Sequence, residues 1–394
     1  MEAMTGNKGV PQLRFREFGA EWAETNLNKI TELITKGTTP KIFTKTGVNY
    51  VKIEGLNGIH IRKEKCLFIE EYTHYNPLKR SILKMDDILF AIAGATVGKV
   101  GVVTSDILPA NTNQALAIIR LTHKENLSYV LQILQSTVMR KYIYKSISVG
   151  AQPNLNLKQI NDFSFHLPTL PEQQKIATFL SSVDEKLQQL TKKKSLLADY
   201  KKGLMQKIFS QELRFKDANG KNYPDWEEKK LGEVLDYEQP TKYIVKSTEY
   251  HNSYKTPVLT AGKSFILGYT DETECIFEST PVIIFDDFTM SIQFVTFPFK
   301  VKSSAMKILK PVNQEVNMVF VHKSMQMIKY PKGDEHKRFW ISEYSKIKIK
   351  YPSLEEQQQI ANFLSALDSK IVKVNSQIEN TKAFKKGLLQ QMFV

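Results

Sequence analysis

Cysteine is scarce in this chain of 394 residues, where Cys66 and Cys275 stand far apart in different halves. Two distant thiols do not provide the spacing of a zinc site, and they argue against a disulfide framework. No window approaches the roughly 18 uninterrupted apolar residues of a membrane span, and Met1 to Val10 has no apolar signal core. We therefore expect a protein of the reducing cytoplasm that has no membrane segment.

Arginine is scarce too, although the chain is strongly basic. Eight of the 55 basic side chains are arginines, and 41 acidic side chains leave a net charge of +14. Such an excess suits a polyanionic partner, with nucleic acid ahead of an anionic membrane. Lysine suits phosphates, whereas arginine is the usual bidentate reader of guanine. Most of the charge should therefore supply affinity rather than sequence discrimination. A basic surface that only maintains solubility is the alternative.

Catalytic motifs are missing as well. The turn Gly94–Lys99 resembles a phosphate-binding P-loop, but Val100 stands where Ser or Thr must hold magnesium. A tight turn between strands is the alternative, and we favour it. A DNA methyltransferase needs an Asn/Asp-Pro-Pro-aromatic loop, and the nearest string, Asn76–Lys79, lacks the second proline and the aromatic residue. The acidic pairs Asp86-Asp87 and Asp286-Asp287 have no neighbours that complete a nuclease metal site, and Asp is a common turn residue. We expect no catalytic residue, metal or cofactor in this chain.

What the chain does have is a long internal repeat. Pro168–Phe209 aligns without a gap with Pro352–Phe393, and 18 of the 42 aligned pairs are identical. Each copy places apolar residues at alternating steps of four and three, the pattern of a coiled-coil seam. Two long helices are predicted, each with an apolar stripe that needs a partner. The seam residues are Ile176, Leu180, Val183, Leu187 and Leu190 in the first copy, and Ile360, Leu364, Leu367, Ile371 and Val374 in the second.

Lysines interrupt both seams, at Lys194 and Lys201 in the first copy and at Lys385 in the second. A charge at a seam position costs stability but can fix register or orientation. Alternatively, the helix ends splay apart and let the lysines reach water.

A weaker repeat opens each half, because Leu13-Arg14-Phe15 resembles Leu213-Arg214-Phe215 and a tryptophan follows each. Each half is thus a leader, a body and a long helix. The boundaries we predict are 1–167 for the first body with its leader, 168–210 for the central helix, 211–351 for the second body with its leader and 352–394 for the C-terminal helix.

Each body reads as mostly β structure with one clear helix, Leu127 to Lys145 in the first and Val316 to Met327 in the second. Runs of alternating or continuous apolar residues predict the strands. They are Gly47–Ile53, Asp87–Ala93 and Leu116–Leu121 in the first body, and Cys275–Phe277, Pro281–Phe285, Val295–Phe297 and Ala305–Leu309 in the second.

Several loops have the composition of a nucleic-acid contact, with polar groups that bond phosphates or adenine edges beside glycine or proline. Solvated loops are the alternative. The predicted DNA-binding residues are Lys36, Gly37, Thr38, Thr39, Lys41, Thr96, Lys99, Gln152 and Asn154 in the first body, and Lys263, Lys302, Ser303, Lys332, His336, Lys337 and Arg338 in the second.

Taken together, these features resemble the DNA-specificity subunit of a type I restriction–modification system. The resemblance rests on Leu167–Ala177, on its variant Tyr351–Ala361, on the leader Leu13-Arg14-Phe15 and on Gly150–Leu155 before the first helix. It covers essentially the whole chain. The second body departs from the pattern, because His336–Trp340 stands where the first has its Gly-X-Gln-Pro-Asn string.

The resemblance implies an α+β fold with an internal pseudo-two-fold repeat, in which two mixed α/β target-recognition domains are separated by two long helices paired as an antiparallel coiled coil. It also implies that each domain reads one half of a bipartite site in double-stranded DNA. The helices would fix the spacing and dock two methyltransferase subunits, which carry S-adenosylmethionine. Motor–nuclease subunits, which use ATP and Mg, would then join a chain that is itself non-catalytic. The rival interpretation is a coiled-coil scaffold with an incidental basic surface.

Overall fold

The computed structural model describes residues 9–147, 153–260, 264–286, 289–328 and 339–394. The chain divides into two compact units, one formed by Met1–Thr191 with Ser376–Val394 and the other by Lys192–Asn375. Each unit therefore contains one body and a part of each long helix. None of the described helices combines the length and apolarity that crossing a membrane requires.

The first unit contains two β-sheets, a hairpin and a strand pair, together with short helices, the start of one long helix and the end of the other. Its strands are β1 (Ala23–Asn26), β2 (Thr31–Lys36), β3 (Val48–Val51), β4 (Leu56–Asn57), β5 (His60–Ile61), β6 (Leu67–Ile69), β7 (Ile88–Ala91), β8 (Val100–Val102), β9 (Ala110–Thr112), β10 (Leu116–Leu121) and β11 (Ser164–Leu167). Its α-helices are α1 (Glu71–Tyr75), α2 (Leu127–Gln135), α3 (Thr137–Ser146), α4 (Leu157–Asn161), the first part of α5 (Leu170–Phe209) and the last part of the C-terminal helix α9 (Leu354–Gln391).

Strands β7 and β10 form the centre of the four-stranded sheet β2-β10-β7-β8. Their side chains alternate between two cores, as a pleated strand requires. Ile88 and Phe90 of β7 face the core that contains α2 and the long helices, whereas Leu89 and Ala91 face the core shared with β3 and β9. A strand buried on both faces has a continuous apolar sequence. This explains why β7 was predicted from the sequence.

The second unit has the same kinds of element. Its strands are β12 (Glu227–Lys230), β13 (Leu235–Glu238), β14 (Thr256–Leu259), β15 (Ile266–Thr270), β16 (Val282–Asp286), β17 (Ile292–Val295), β18 (Lys300–Val301), β19 (Met306–Pro311) and β20 (Lys348–Tyr351). Its α-helices are α6 (Leu231–Val234), α7 (Met318–Met325), α8 (Phe339–Ser342), the rest of α5 and the first part of α9 (Leu354–Gln391).

The two bodies share one strand topology. The order β2-β10-β7-β8 returns as β13-β19-β16-β17, and β6-β3-β9 returns as β15-β14-β18. In each three-stranded sheet one pairing is antiparallel and the other is parallel. The outer pair β1-β11, which leads into α5, corresponds to β12-β20, which leads into α9. The repeat that the sequence showed in the leaders and helices therefore extends through the bodies, where the residues differ.

The long helices run antiparallel. In the second unit, the Nζ of Lys194 lies 2.5 Å from the Oδ1 of Asn375. One heptad further along α5, Lys201 binds Asp368, which lies one heptad earlier on α9. In the first unit, Ile176, Leu180 and Val183 of α5 share a core with Leu388 and Leu389 of α9. Together with the mixed bodies, this pairing confirms the predicted fold class.

Two predicted elements in the bodies are wrong in detail. The single helix predicted from Leu127 to Lys145 is two helices, because Ser136 is extended (ψ 173°) and its hydroxyl caps the second one by accepting from the Val138 N–H at 3.2 Å. The segment Cys275–Phe277 is not a strand. Cys275 has φ +52°, a left-handed conformation that interrupts an extended chain, and Phe277 makes only an isolated bridge with Phe299.

The remaining strand predictions hold to within a few residues. Leu116–Leu121 has the predicted bounds, and the helix predicted from Val316 to Met327 is α7. The strand predicted as Val295–Phe297 is displaced, since β17 ends at Val295.

Candidate nucleic-acid interface

Two loop segments lie at one end of the four-stranded sheet of the first unit, beside the start of β10. Lys36 ends β2 opposite Ala117, and Ala91 ends β7 opposite Leu116, so both strands finish where β10 begins. The backbone N–H of Gly37 donates to the Leu116 carbonyl at 3.2 Å, which holds the first loop against that end. The predicted loop 36–41 and the turn 94–99 are therefore neighbours in the fold, although they lie far apart in sequence.

Loop 36–41 is held by the segment that precedes β10. A Cβ atom on Gly37 would lie 2.1 Å from the carbonyl oxygens of Thr112 and Asn113, so only glycine fits there. The hydroxyl of Thr39 donates to the Gln114 Oε1 at 3.1 Å. Lys36, Thr39 and Lys41 are exposed. This arrangement presents two lysines and a hydroxyl on a backbone that is fixed in position.

Arg80 and Gln114 belong to this surface and were missed by sequence reasoning. Arg80 is exposed and its Nη2 donates to the Thr38 hydroxyl at 3.1 Å. The Thr38 carbonyl accepts from the Tyr50 hydroxyl at 2.9 Å. Arginine and glutamine are the side chains that most often read guanine and adenine edges. No local motif marks either residue, because their position depends on strand pairing; the scarcity of arginine was the only available signal.

In the turn 94–99, backbone N–H groups that a phosphate loop would need donate to backbone carbonyls instead. The N–H of Gly94 donates to the Pro153 carbonyl, Gly98 to Ala91 and Lys99 to Thr96, all at 2.9 to 3.1 Å. Gly94 and Gly98 have positive φ, as a tight turn requires. The segment is thus a turn between strands, as the alternative to a P-loop states. Lys99 is exposed, Asn154 bridges Ala93, and the predicted Gln152 lies outside the described residues.

The corresponding end of the second sheet has fewer described candidates. Lys302 and Ser303 precede β19, as the 112–114 segment precedes β10, and the Lys302 Nζ lies 5.9 Å from the ring centre of Tyr250. Gln239, directly after β13, donates to the Ser304 carbonyl at 3.4 Å. The other residues predicted for this body, Lys263, Lys332, His336, Lys337 and Arg338, lie outside the described residues.

The repeated Glu-Gln-Gln string at the start of each long helix joins leader, body and helix. In the first unit the Arg14 guanidinium binds Glu172 at 2.7 Å, and this hydrogen bond raises the pKa of Arg14. The neighbouring Gln173 accepts from the backbone N–H of Asn126, the N-cap residue of α2, at 3.1 Å. The side chain of Glu172 is 2% exposed, so its charge needs this partner.

The second unit repeats these contacts with the equivalent residues. Arg214 binds Glu356 at 2.9 Å, and Gln357 accepts from the N–H of Asn317, the N-cap residue of α7, at 3.0 Å. Trp226 also donates to Glu356, at 2.8 Å. In the sequence, the Glu-Gln-Gln string was visible only as identical residues in the two copies of the repeat. The contacts show its structural role, because they attach each body to the first turn of its long helix.

One residue of each acidic pair that the sequence singled out, Asp87 or Asp286, has structural partners, and Asp287 lies outside the described residues. Arg120 binds Asp87 through two hydrogen bonds at 2.7 and 2.8 Å, and the Lys84 N–H donates to the same buried carboxylate. Asp286 accepts from the Thr289 N–H at 3.1 Å. Among the described residues, no group of three or more His, Cys, Asp or Glu side chains could hold a metal ion. Asp87 therefore stabilises the sheet through its hydrogen bonds with Arg120 and Lys84.

The two bodies share one strand topology. Each has polar loops at one end of a sheet, and each is attached to a long helix. This arrangement defines the class of two-part nucleic-acid readers. Residues 19–198 and 223–381 match the family model of the type I restriction modification DNA specificity domain. The chain belongs to this family, which disfavours the scaffold interpretation.

Two similar proteins support the assignment, and a solved structure has a similar fold. The specificity subunit of the type I restriction enzyme EcoR124I/EcoR124II of Escherichia coli is 46% identical over 149 residues, which is 36% of each chain. A putative type I restriction enzyme specificity subunit, MjaX, of Methanocaldococcus jannaschii is 27% identical over 93% of this chain and 92% of that one. The crystal structure of an S subunit from M. genitalium covers 98% of this chain and 99% of that chain, with TM-score 0.60 and 17% identity.

Proposed function

We propose that the chain is the DNA-specificity subunit of a type I restriction–modification complex and that each body reads one half of a bipartite target. The observation that carries the proposal is the repetition of one strand topology together with one pattern of helix attachment. Two equivalent readers on an antiparallel helix pair suit a split site with unread base pairs between its halves. In the first half-site, Arg80 and Gln114 join the loop 36–41 as candidate base readers.

The chain's role in the complex is recognition rather than catalysis. Double-stranded DNA is its ligand, and two methyltransferase subunits, which bind S-adenosylmethionine, dock on α5 and α9. Motor–nuclease subunits with ATP and Mg complete the restriction complex. The chain supplies lysine-rich loops for DNA phosphates and fixes where the methyltransferases act.

Exchange of one body tests the two-reader proposal. Residues 26–165 are replaced by the corresponding body of another family member, and the methylated motif is mapped in a genome that carries the hybrid gene. Gln173 accepts from a backbone N–H, so the donor body supplies this contact with any residue except proline at position 126. One half of the motif should change. A change in both halves, or in neither, contradicts the proposal.

A matched insertion tests the helices as the spacer. One heptad is inserted after Leu190 in α5 and one after Ile378 in α9, which leaves the Asp184–Lys385 and Lys194–Asn375 contacts on either side intact. Seven residues lengthen a helix by about 10.5 Å, or about three base pairs at 3.4 Å per step. Both halves of the motif should stay the same, and the unread spacer between them should lengthen by about three base pairs. A spacer of unchanged length would reject the proposal that helix length sets the spacing. The control, a heptad in α5 alone, should destabilise the protein.

A further inference from the structure

A basic groove runs between the body and the long helices within the first unit. Its volume is about 670 Å³. The body contributes the turn 95–100 and α3, and the other wall is the end of α9. Five cationic side chains line the groove, namely Lys99, Arg140, Lys382, Lys385 and Lys386. We call it the α9 groove.

The cations of the α9 groove greatly exceed the charge that neutralises them. None of its lining residues is acidic. Lys385 is bound by Asp184 at 2.6 Å, and the exposed Lys382 lies 3.0 Å from Glu379. Within the described ranges, Lys99, Arg140 and Lys386 form no ion pair, and all three are exposed. Like charges held close together cost free energy, and an anionic ligand would offset this cost.

The shape and composition of the groove indicate which anion fits. A bound mononucleotide would be held by backbone amides, but those of Gly98 and Lys99 already donate within the turn. Protein interfaces favour aromatic side chains and contain few lysines, whereas the lining of the groove has lysines and no aromatic side chain. Long, flexible ammonium groups suit the phosphates of a polynucleotide backbone. The turn 94–99 also belongs to the sheet end that carries loop 36–41.

We propose that helix α9 contacts DNA directly, with Lys382 and Lys386 binding phosphates beside the first half-site together with Lys99 and Arg140. This inference rests on the proposed function and extends it, because it makes a spacer helix part of the DNA-binding surface. The two halves of the repeat differ here. Ala198 occupies the position in α5 that corresponds to Lys382, while Lys202 corresponds to Lys386. The α9 segment in the first unit therefore carries one more cation than the equivalent segment of α5.

The test compares two variants of the full chain, each assembled with its methyltransferase subunits. Lys382→Gln/Lys386→Gln removes two groove charges. Lys370→Gln/Lys373→Gln removes the same charge from exposed positions on the same helix that do not line the groove. Affinity for a duplex with the methylated motif and for an unrelated duplex is measured from 50 to 200 mM KCl, and thermal unfolding checks that both variants fold.

The groove variant should bind both duplexes more weakly, and the ratio of its affinities for the motif duplex and the unrelated duplex should stay the same. Its slope of log K against log salt should become shallower by about 1.8, because each lost phosphate contact removes about 0.9. The control variant should keep the slope of the unmodified protein. Equal slopes in the two variants would overturn the proposal. Loss of methyltransferase association with an unchanged slope would also overturn it and would identify an acidic protein segment as the occupant. If the unmodified complex itself shows no preference for the motif, the proposed function fails instead.

Discussion

The Nζ of Lys385 on α9 lies 2.6 Å from the carboxylate of Asp184 on α5, and Gln132 of the first body donates to the same carboxylate at 3.0 Å. The repeat-equivalent residues Lys201 and Asp368 form the same pair in the second unit. The seam lysines therefore bind partners across the helix pair, and the alternative in which the helix ends splay apart is wrong. Each pair joins both helices to a body, through Gln132 in the first unit and through Lys323, which binds Asp368 at 2.7 Å, in the second. This makes each pair a determinant of helix register.

Breaking this pair should destabilise the first unit. Asp184→Asn leaves the ammonium of Lys385, whose side chain is 13% exposed, without a counter-charge, and we expect a loss of about 1–3 kcal/mol in the free energy of unfolding. Urea denaturation measures it. Glu185→Gln, an exposed neighbour on the same turn, should change stability by less than about 0.5 kcal/mol. If Asp184→Asn is as stable as this control, the pair does not fix register.

Removing the leader arginine should detach the leader from the helix. Arg14→Ala leaves the buried carboxylate of Glu172 unpaired, and a broken buried pair costs about 3–5 kcal/mol. Arg16→Ala, two residues along and exposed, is the matched control with no expected change. Hydrogen exchange of the second turn of α5, where the amides have intrahelical acceptors, should increase in Arg14→Ala only. An equal effect of both substitutions would mean that the ion pair is incidental.

The sequence predicted the long helices better than any other part, for a physical reason. A seam that repeats over about 40 residues gives many independent observations of one period, and most of its positions are buried as expected. The gapless copy supplied the partner helix. The strand predictions succeeded where a strand is buried on both faces, as for β7 and β10, since such strands are continuous apolar runs.

The interface could be predicted only in part, because its residues come together through strand pairing. Loop 36–41 and the turn 94–99 carried glycine signals, whereas Arg80 and Gln114 reach the same sheet end from segments without a motif. The break between α2 and α3 at Ser136 was not predicted, because a serine within a helical pattern can also be an ordinary exposed polar residue. Only the structure shows that its hydroxyl caps α3. The roles of Glu172 and Gln173 likewise depend on partners that are distant in sequence.

The second unit should lose stability as the pH falls through the range of His322. Burial, together with the charge of Lys323, lowers the pKa of His322 to about 4, against the opposing charge of Asp368. An unfolded histidine titrates near 6.5, so between these values the unfolded chain binds a proton that the folded chain does not. The stabilisation is complete above pH 6.5 and is lost as the pH falls towards 4, by up to about 3 kcal/mol.

Unfolding by urea at pH 4.5 to 7.5 measures this dependence. In a Trp22→Phe background the remaining tryptophans, Trp226 and Trp340, lie in the second unit, so fluorescence reports that unit alone. His322→Gln should flatten the pH dependence, whereas the exposed control His251→Gln should retain it. The same slope in both variants would assign the dependence to other groups.

Replacing Arg80 should alter the reading of one half-site only. In Arg80→Ala the hydroxyl of Thr38 loses its donor at 3.1 Å, and a bidentate base contact from arginine provides about 1–3 kcal/mol of discrimination. Competition binding with duplexes that carry single base changes in either half measures this. Discrimination should fall at positions of the first half-site by about tenfold and stay unchanged in the second, and the exposed control Arg16→Ala should leave both intact. A uniform loss of affinity for all duplexes, with discrimination preserved, would show that Arg80 binds a phosphate.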